Sequence, residues 1–349
     1  MAEGGRPRAL ASGLRGLGGF FDPTRVELEK VGVELVMSDF RTPEELVAAA
    51  KEVDGIFESA VHYTRDVLSQ LPKLKAICAL GIGVDRFDLE AATELGIVAI
   101  NLPRVFHREV AHHALALWLA LVRKIVPLNE WMKASASGRQ PQRRPDASGA
   151  RSGMAPQQHI YGQTFGIVSL GNIGRVVATL VRPFEMDVIA YDPFLKPADA
   201  AQYGVKLVGS LNELFERADF VSVHTPLSKA THHLIGYEQF SRMKPSALFV
   251  NTGRGPVVDE AGLIRALQEG KLAGAGLDVQ EKEPPDSDNP LLKMENVILT
   301  PHVASSSEKA RRERARWMGI EMGRVLNGKW PIHGLVNKGV KPRVPLSAD

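Results

Sequence analysis

The stretch Phe165–Asp192 reads FGIVSLGNIGRVVATLVRPFEMDVIAYD and indicates the fold of the chain. An apolar run, Phe165–Leu170, leads into the glycine turn Gly171–Gly174, and a helical pattern follows. A second apolar run, Val188–Tyr191, then ends on Asp192. Strand, glycine turn, helix, strand and acid follow one another as they do in a dinucleotide-binding βαβ unit.

Each part of this unit has a physical role in such a site. Gly171 lets the backbone approach a pyrophosphate, Gly174 lets helix and strand pack closely, and the helix N-terminus offers N–H groups and a positive dipole end. Asp192 can accept hydrogen bonds from both ribose hydroxyls and would repel a 2′-phosphate, which favours NAD over NADP. Ser169 stands where the fingerprint G-x-G-x-x-G has its first glycine. Because strand–glycine–helix turns also occur in proteins that bind no nucleotide, a purely structural turn remains an alternative.

Length and composition exclude several classes of protein. The chain has 349 residues, enough for two domains, and its net charge of +3 is too balanced for a nucleic-acid-binding surface. A single cysteine, Cys78, excludes an internal disulfide and a thiolate zinc cluster, and it suits a reducing compartment such as the cytoplasm. No apolar run approaches the roughly 20 residues of a membrane span. We therefore expect a cytoplasmic protein with no metal, nucleic-acid or membrane partner.

The rest of the chain alternates strands with helices, which predicts parallel sheets. The first part reads as a small α/β domain whose first strand is not recognisable before Phe21. One long buried helix is predicted over Arg108–Val126, and Ala134–Gln158 reads as a surface loop with partial disorder. The final helix is expected to begin at a capping box, Ser305–Glu308. Later strands are predicted at Phe220–Val223, Ala247–Val250, Ala273–Leu277 and Val297–Leu299.

Three residues whose side chains could take part in catalysis follow the last three of these strands. Arg254 follows the second, Glu283 the third and His302 the fourth. Ligands of open α/β sheets bind outside the carboxyl ends of the strands, so the three are expected at one edge. Taken singly, each residue also has a purely structural interpretation. Arg254 could belong to a surface turn, Glu283 to a solvated charge run, and His302 could be a histidine that packs beside a proline.

The same segments carry a family resemblance. SLGNIGRVVA, HTPLSKATHHLI, MKPSALFVNTGRGPVVDEAGLIRAL, AGAGLDVQEKEPP and TPHVA resemble the D-isomer-specific 2-hydroxyacid dehydrogenase family in order and spacing. The resemblance implies an α/β protein of two domains. A Rossmann-type NAD domain with a doubly wound parallel sheet (residues 104–304) would be inserted into a smaller flavodoxin-like α/β substrate domain (residues 1–103 and 305–349). It also implies NAD as cofactor, a small 2-hydroxy or 2-keto acid as substrate, and a homodimer.

The resemblance assigns roles position by position. His302 matches the general acid/base that exchanges a proton with the substrate oxygen, and Glu283 the carboxylate that orients and charges this imidazole. Arg254 matches the arginine that binds the α-carboxylate, a bidentate task that lysine performs poorly. The backbone of Ile82 and Gly83 matches a loop that binds the same carboxylate. Cofactor-binding positions are Gly171, Asn172, Ile173, Gly174, Asp192, Thr225, Thr252, Gly253 and Asp278.

Two alternatives stay open at this point. The substrate is 3-phosphoglycerate in one branch of the family, and other relatives act as NAD-sensing corepressors without turnover. Specificity is expected in the loops Phe57–Tyr63 and Leu80–Val84, where no arginine stands in an obvious place for a substrate phosphate. The histidines without a family match are interpreted as structural or surface residues: His107, His112, His113, His232 and His233.

Overall fold

A computed structural model describes residues 5–13, 19–136 and 157–348. Within it the chain divides into two compact units, Met1–Phe106 with Ser306–Asp349, and His107–Ser305. The predicted surface loop Ala134–Gln158 lies for the most part outside the described residues.

The first unit is built on a five-stranded parallel sheet in the order β2-β1-β3-β4-β5, a flavodoxin-like arrangement. Its central strands are buried on both sides because helices cover the two faces of the sheet. Its strands are β1 Arg8–Ser12, β2 Glu34–Ser38, β3 Gly55–Phe57, β4 Ala76–Cys78 and β5 Val98–Ile100. Its helices are α1 Asp22–Lys30, α2 Pro43–Ala50, α3 Arg65–Ser69, α4 Leu89–Glu94 and α12 Glu308–Leu326.

The strand β1 corrects the expectation that no strand is recognisable before Phe21. Ala9, Leu10 and Ala11 are fully buried, and β1 pairs with both β2 and β3. The sequence signal is weak because the strand is short and holds no β-branched residue.

The second unit is built on a seven-stranded parallel sheet in the order β12-β11-β10-β9-β6-β7-β8. Counted from β6, this is the doubly wound order with the reversal between β6 and β9. Together with the first unit, it confirms the predicted α/β class with two parallel sheets. The strands are β6 Thr164–Val168, β7 Asp187–Tyr191, β8 Lys206–Leu207, β9 Phe220–Val223, β10 Leu248–Asn251, β11 Gly274–Leu277 and β12 Val297–Leu299. The helices are α5 His107–Val122, α6 Ile125–Ala136, α7 Asn172–Val181, α8 Pro197–Ala201, α9 Leu211–Arg217, α10 Tyr237–Ser241 and α11 Glu260–Gln268.

Two helix predictions were wrong in detail. The single helix expected over Arg108–Val126 is broken after Val122, since Lys124 adopts a φ of 52° that an α-helix does not allow, and α6 then continues at a bend of 59°. The N-cap of α12 is Ser307 rather than Ser305, because the Ser307 hydroxyl accepts from the Ala310 N–H at 2.9 Å.

No single helix in the described ranges has the length and apolar character of a membrane span, although α5 and the first part of α6 pass that test together as a bent pair.

Candidate functional site

The carboxyl ends of β10, β11 and β12 form one edge of the second sheet, since the three strands are parallel neighbours. Two of the three predicted residues meet there directly. Nδ1 of His302 lies 2.8 Å from Oε2 of Glu283, whose other oxygen accepts from the Gln280 N–H at 3.2 Å. Burial raises the pKa of Glu283, but the bond to His302 and the charges of His302 and Arg254 outweigh it and leave this pKa lowered. An ionised Glu283 only accepts, so Nδ1 donates to it and Nε2 of His302 is left for a substrate.

The loop that carries His302 is held by a buried carboxylate, Asp278, which is 1% exposed. One oxygen accepts from the Thr300 hydroxyl at 2.6 Å and the Val303 N–H at 2.9 Å, and the other accepts from the Ala304 N–H at 2.8 Å. His302 itself has a φ of 53°, in the left-handed region. Asp278, predicted as a cofactor contact, therefore also fixes the backbone around His302.

Arg254 lies in the turn after β10, and a close packing contact fixes that turn. Its Nη1 donates to the carbonyl of Gly253 at 2.8 Å. The next residue, Gly255, is packed so closely that a Cβ would lie 1.7 Å from the carbonyl oxygen of Gln280. Only glycine fits there, and the contact joins the turn of Arg254 to the segment that leads to Glu283.

The predicted nucleotide turn between β6 and α7 keeps glycine geometry although a serine stands in its first position. Ser169 has a φ of 72°, a conformation that glycine adopts at no cost. Gly171 is the N-cap of α7, no side chain caps the helix, and nothing lies within 4 Å of a Cβ added there. A Cβ on Gly174 would lie 2.4 Å from the Ser169 carbonyl, so this glycine is required for packing. Asn172 and Ile173 open the helix.

Asp192 follows β7 at the same end of the sheet. Its Oδ2 accepts from the Leu170 N–H and its Oδ1 from the Phe194 N–H, both at 3.0 Å. These bonds fix the carboxylate beside the nucleotide turn, and each oxygen has a second lone pair for a ribose hydroxyl.

Three further predicted residues line the ends of β9 and β10. Thr225 and Thr252 are buried, and Gly253 donates its N–H to the Asn251 side chain at 2.9 Å. Beside them lies His224, which no sequence motif indicated and whose Nε2 lies 3.0 Å from the Ser222 hydroxyl. Burial lowers the pKa of His224 to about 3, so this imidazole is neutral near pH 7. It supports the turn as a hydrogen-bonding group, not as a cation.

His113 was interpreted as a structural or surface residue, and its contacts tie it to the candidate site. Its Nε2 lies 2.9 Å from the Thr300 hydroxyl and 3.5 Å from Asp278. No local pattern on α5 indicated this, because both partners are more than 160 residues away in the sequence. His232 and His233 are exposed and stacked at 4.0 Å, and His233 pairs with Glu281 at 2.6 Å.

In the first unit, the loop of residues 80–83 follows β4 and contains the predicted Ile82 and Gly83. Within the described ranges, the N–H groups of these two residues donate to no protein acceptor, and both residues are partly exposed. The loop thus presents two backbone donors that a carboxylate can use. Three hydrogen bonds hold it: Leu80 N–H to Glu58 Oε2 at 2.9 Å, Leu102 N–H to the Gly81 carbonyl at 2.9 Å, and Asn101 Nδ2 to the Ile82 carbonyl at 2.8 Å.

Comparison with known proteins identifies the relatives of this chain. Residues 115–304 match the family model described as D-isomer specific 2-hydroxyacid dehydrogenase, NAD binding domain. The chain is 39% identical over 309 residues to a D-3-phosphoglycerate dehydrogenase of Methanocaldococcus jannaschii, a match over 86% of this chain and 55% of that protein. It is 38% identical over 280 residues to a glyoxylate reductase of Korarchaeum cryptofilum, over 80% of this chain and 81% of that protein.

Among solved structures, it resembles an NADPH-dependent glyoxylate/hydroxypyruvate reductase of Sinorhizobium meliloti in complex with NADP and malonate. The TM-score is 0.80 at 28% identity, over 97% of this chain and 99% of that one. The chain thus spans about half the length of the phosphoglycerate dehydrogenase and nearly all of the reductase structure.

Proposed function

The chain belongs to the D-isomer-specific 2-hydroxyacid dehydrogenase family, and from that premise we propose that it interconverts a 2-hydroxy acid and its 2-keto acid with NAD. The observation that carries the proposal is the bond between His302 and Glu283 at 2.8 Å, at the sheet edge where Arg254 also lies. An imidazole, the carboxylate that orients it and a guanidinium are the groups that ketone reduction beside a carboxylate requires.

Each of these side chains has a defined task in the reduction. Arg254 binds the α-carboxylate of the keto acid. In the first unit, the N–H groups of Ile82 and Gly83 are the backbone donors that we propose for a substrate carboxylate. His302 donates the proton on Nε2 to the ketone oxygen, while Glu283 stabilises the imidazolium through Nδ1. When bound, the nicotinamide supplies the hydride that reduces C2. In the oxidation direction His302 accepts the proton of the alcohol.

The residues of the nucleotide turn fit the cofactor. The uncapped N-terminus of α7 and the open space at Gly171 suit a pyrophosphate, and Asp192 suits a ribose diol. We propose NAD over NADP because the Asp192 carboxylate would repel a 2′-phosphate, although the reductase from Sinorhizobium meliloti is NADPH-dependent.

A turnover assay with a His302→Ala variant tests the proposal. NADH oxidation is measured with glyoxylate, hydroxypyruvate, pyruvate, phenylpyruvate and 3-phosphohydroxypyruvate, with NADPH in parallel. We expect the wild-type protein to reduce at least one unphosphorylated keto acid and the variant to lose about 10²- to 10⁴-fold in kcat. NADH binding, followed by fluorescence, should survive in the variant, and exposed His232→Ala is the matched control.

Two results would point to other functions. NADH binding by the wild-type protein without turnover of any keto acid would favour an NAD-sensing binding protein. Preference for 3-phosphohydroxypyruvate would favour the phosphoglycerate branch, in line with the similarity to the Methanocaldococcus jannaschii protein. We also propose a cytoplasmic homodimer, on family resemblance alone, which light scattering and cell fractionation would test.

A further inference from the structure

The side chain of Glu58 lies next to the loop of residues 80–83 and brings a carboxylate to it. It follows β3 directly, its side chain is only 11% exposed, and its Oε2 accepts from the Leu80 N–H at 2.9 Å. Ile82 is two positions further along the chain than Leu80, and a chain advances by at most about 3.6 Å per residue. The carboxylate of Glu58 therefore lies within about 10 Å of the backbone donors of Ile82.

The charge of Glu58 is poorly compensated by its surroundings. The guanidinium of Arg86 lies 3.4 Å from Oε1, a long contact, and its side chain is 46% exposed. Burial raises the pKa of Glu58, the Asp85 charge adds to this, and the Leu80 N–H and Arg86 only partly oppose it. Arg86 compensates the charge of Glu58 only in part, and the site has a low dielectric constant. The charge therefore acts over a longer distance than it would in water.

We propose that Glu58 makes the keto-acid site selective against substrates that carry a second anionic group, such as a phosphate ester, besides the α-carboxylate. This inference rests on the proposed function, because it takes Ile82 and Gly83 as the binding loop. The α-carboxylate has the N–H groups of Ile82 and Gly83 to offset the repulsion. A second anion does not share these donors, and the long contact of Arg86 offsets only part of the Glu58 charge. The favoured substrate is thus an unphosphorylated, monoanionic 2-keto acid.

The anchoring and charge roles of Glu58 can be separated by substitution. Glu58→Gln keeps an oxygen that can accept from the Leu80 N–H but removes the charge, whereas Glu58→Ala removes both. A purely anchoring role predicts that Glu58→Gln keeps the wild-type specificity and that only Glu58→Ala weakens the binding of all keto acids. A charge role predicts that Glu58→Gln changes the specificity itself.

The experiment measures kcat/KM for hydroxypyruvate and 3-phosphohydroxypyruvate with NADH. We expect the wild-type protein to favour hydroxypyruvate, and Glu58→Gln to shift the ratio about tenfold toward the phosphorylated substrate, mainly through KM. Glu94→Gln, which removes an exposed carboxylate paired with Arg65, should leave the ratio unchanged. Added salt should shift the ratio of the wild-type protein in the same direction by screening, and this readout requires no variant.

The possible failures are distinguishable. Turnover of both substrates with the same ratio in wild type and Glu58→Gln, or a wild-type preference for the phosphorylated substrate, overturns the role of Glu58 and leaves the proposed function intact. Absence of turnover with every keto acid overturns the proposed function and this inference with it.

Discussion

At Ser169 a side chain occupies a backbone conformation that glycine would adopt without strain. The φ of 72° costs an L-residue roughly 1–2 kcal/mol, and the hydroxyl recovers part of this by accepting from Thr225 Oγ1 at 3.1 Å. The serine thus explains how the nucleotide turn keeps its shape without the first fingerprint glycine.

Two substitutions at this position should separate strain from hydrogen bonding. Ser169→Ala and Ser169→Gly both lose the hydroxyl, but only glycine relieves the strained φ. We expect Ser169→Gly to be more stable than Ser169→Ala by roughly 1 kcal/mol in urea unfolding. Equal stability of the two variants would show that the turn is not strained.

The pair of Glu283 and His302 should make activity depend on pH. The pKa of Glu283 is lowered in the folded protein. The ionised carboxylate therefore stabilises the fold at pH values above the pKa of the unfolded state, and this contribution is lost as the pH falls through the pKa of the folded state. At acid pH the Glu283 carboxylate is neutralised, and Nδ1 of His302 loses the ionised acceptor that holds it.

Glu283→Gln removes that partner at every pH. We expect kcat for keto-acid reduction to fall, because Nδ1 of His302 no longer has a carboxylate beside it, and we expect the loss of activity that comes from neutralising Glu283 at acid pH to disappear. Glu281→Gln, two residues away and exposed, is the matched control. An unchanged kcat and an unchanged acid limb in Glu283→Gln would show that activity does not depend on this carboxylate.

At the scale of elements, the turn after β10 and the segment after β11 are joined by the contact of Gly255 with Gln280. A methyl group at position 255 would lie 1.7 Å from a backbone oxygen, so both segments must move. We expect Gly255→Ala to destabilise the protein by about 1–3 kcal/mol and to raise KM for the keto acid, since Arg254 is displaced. Gly209→Ala, where the nearest atom is 3.6 Å away, should behave as wild type.

The loop after β12 depends in the same way on Asp278. In Asp278→Asn an amide group replaces one carboxylate oxygen and faces N–H groups it cannot accept from. We expect a loss of about 1–3 kcal/mol in stability and a fall in kcat, because the backbone around His302 shifts. Asp286→Asn, at an exposed aspartate that pairs with Lys282, tests whether the effect is specific. Full activity in Asp278→Asn would mean that the loop keeps its shape without this carboxylate.

At the scale of the whole molecule, features that depend on local patterns could be predicted from the sequence, and features that depend on long-range contacts could not. The apolar runs at Phe220–Val223 and Val297–Leu299 are strands with the predicted bounds. The first is buried along its whole length, as a central strand of a parallel sheet is, and the second is a partly buried strand at the edge of the sheet. The break at Lys124 was missed because a lysine rarely takes a positive φ. The bonds of Asp278 and His113 to Thr300 join distant segments, so no spacing along the chain could indicate them.

Ligand binding should slow the exchange of backbone amides at each proposed binding segment. Hydrogen exchange is measured on the protein alone, with NAD, and with NAD plus a 2-keto acid, a mixture with no hydride to transfer. NAD alone should protect amides of β6, α7 and β7, because the pyrophosphate is expected at the start of α7. The keto acid should add protection at Ile82 and Gly83, whose N–H groups would then donate to its carboxylate. If the keto acid binds and those amides exchange as before, the substrate contacts lie elsewhere, and the first unit contributes no backbone donors from this loop.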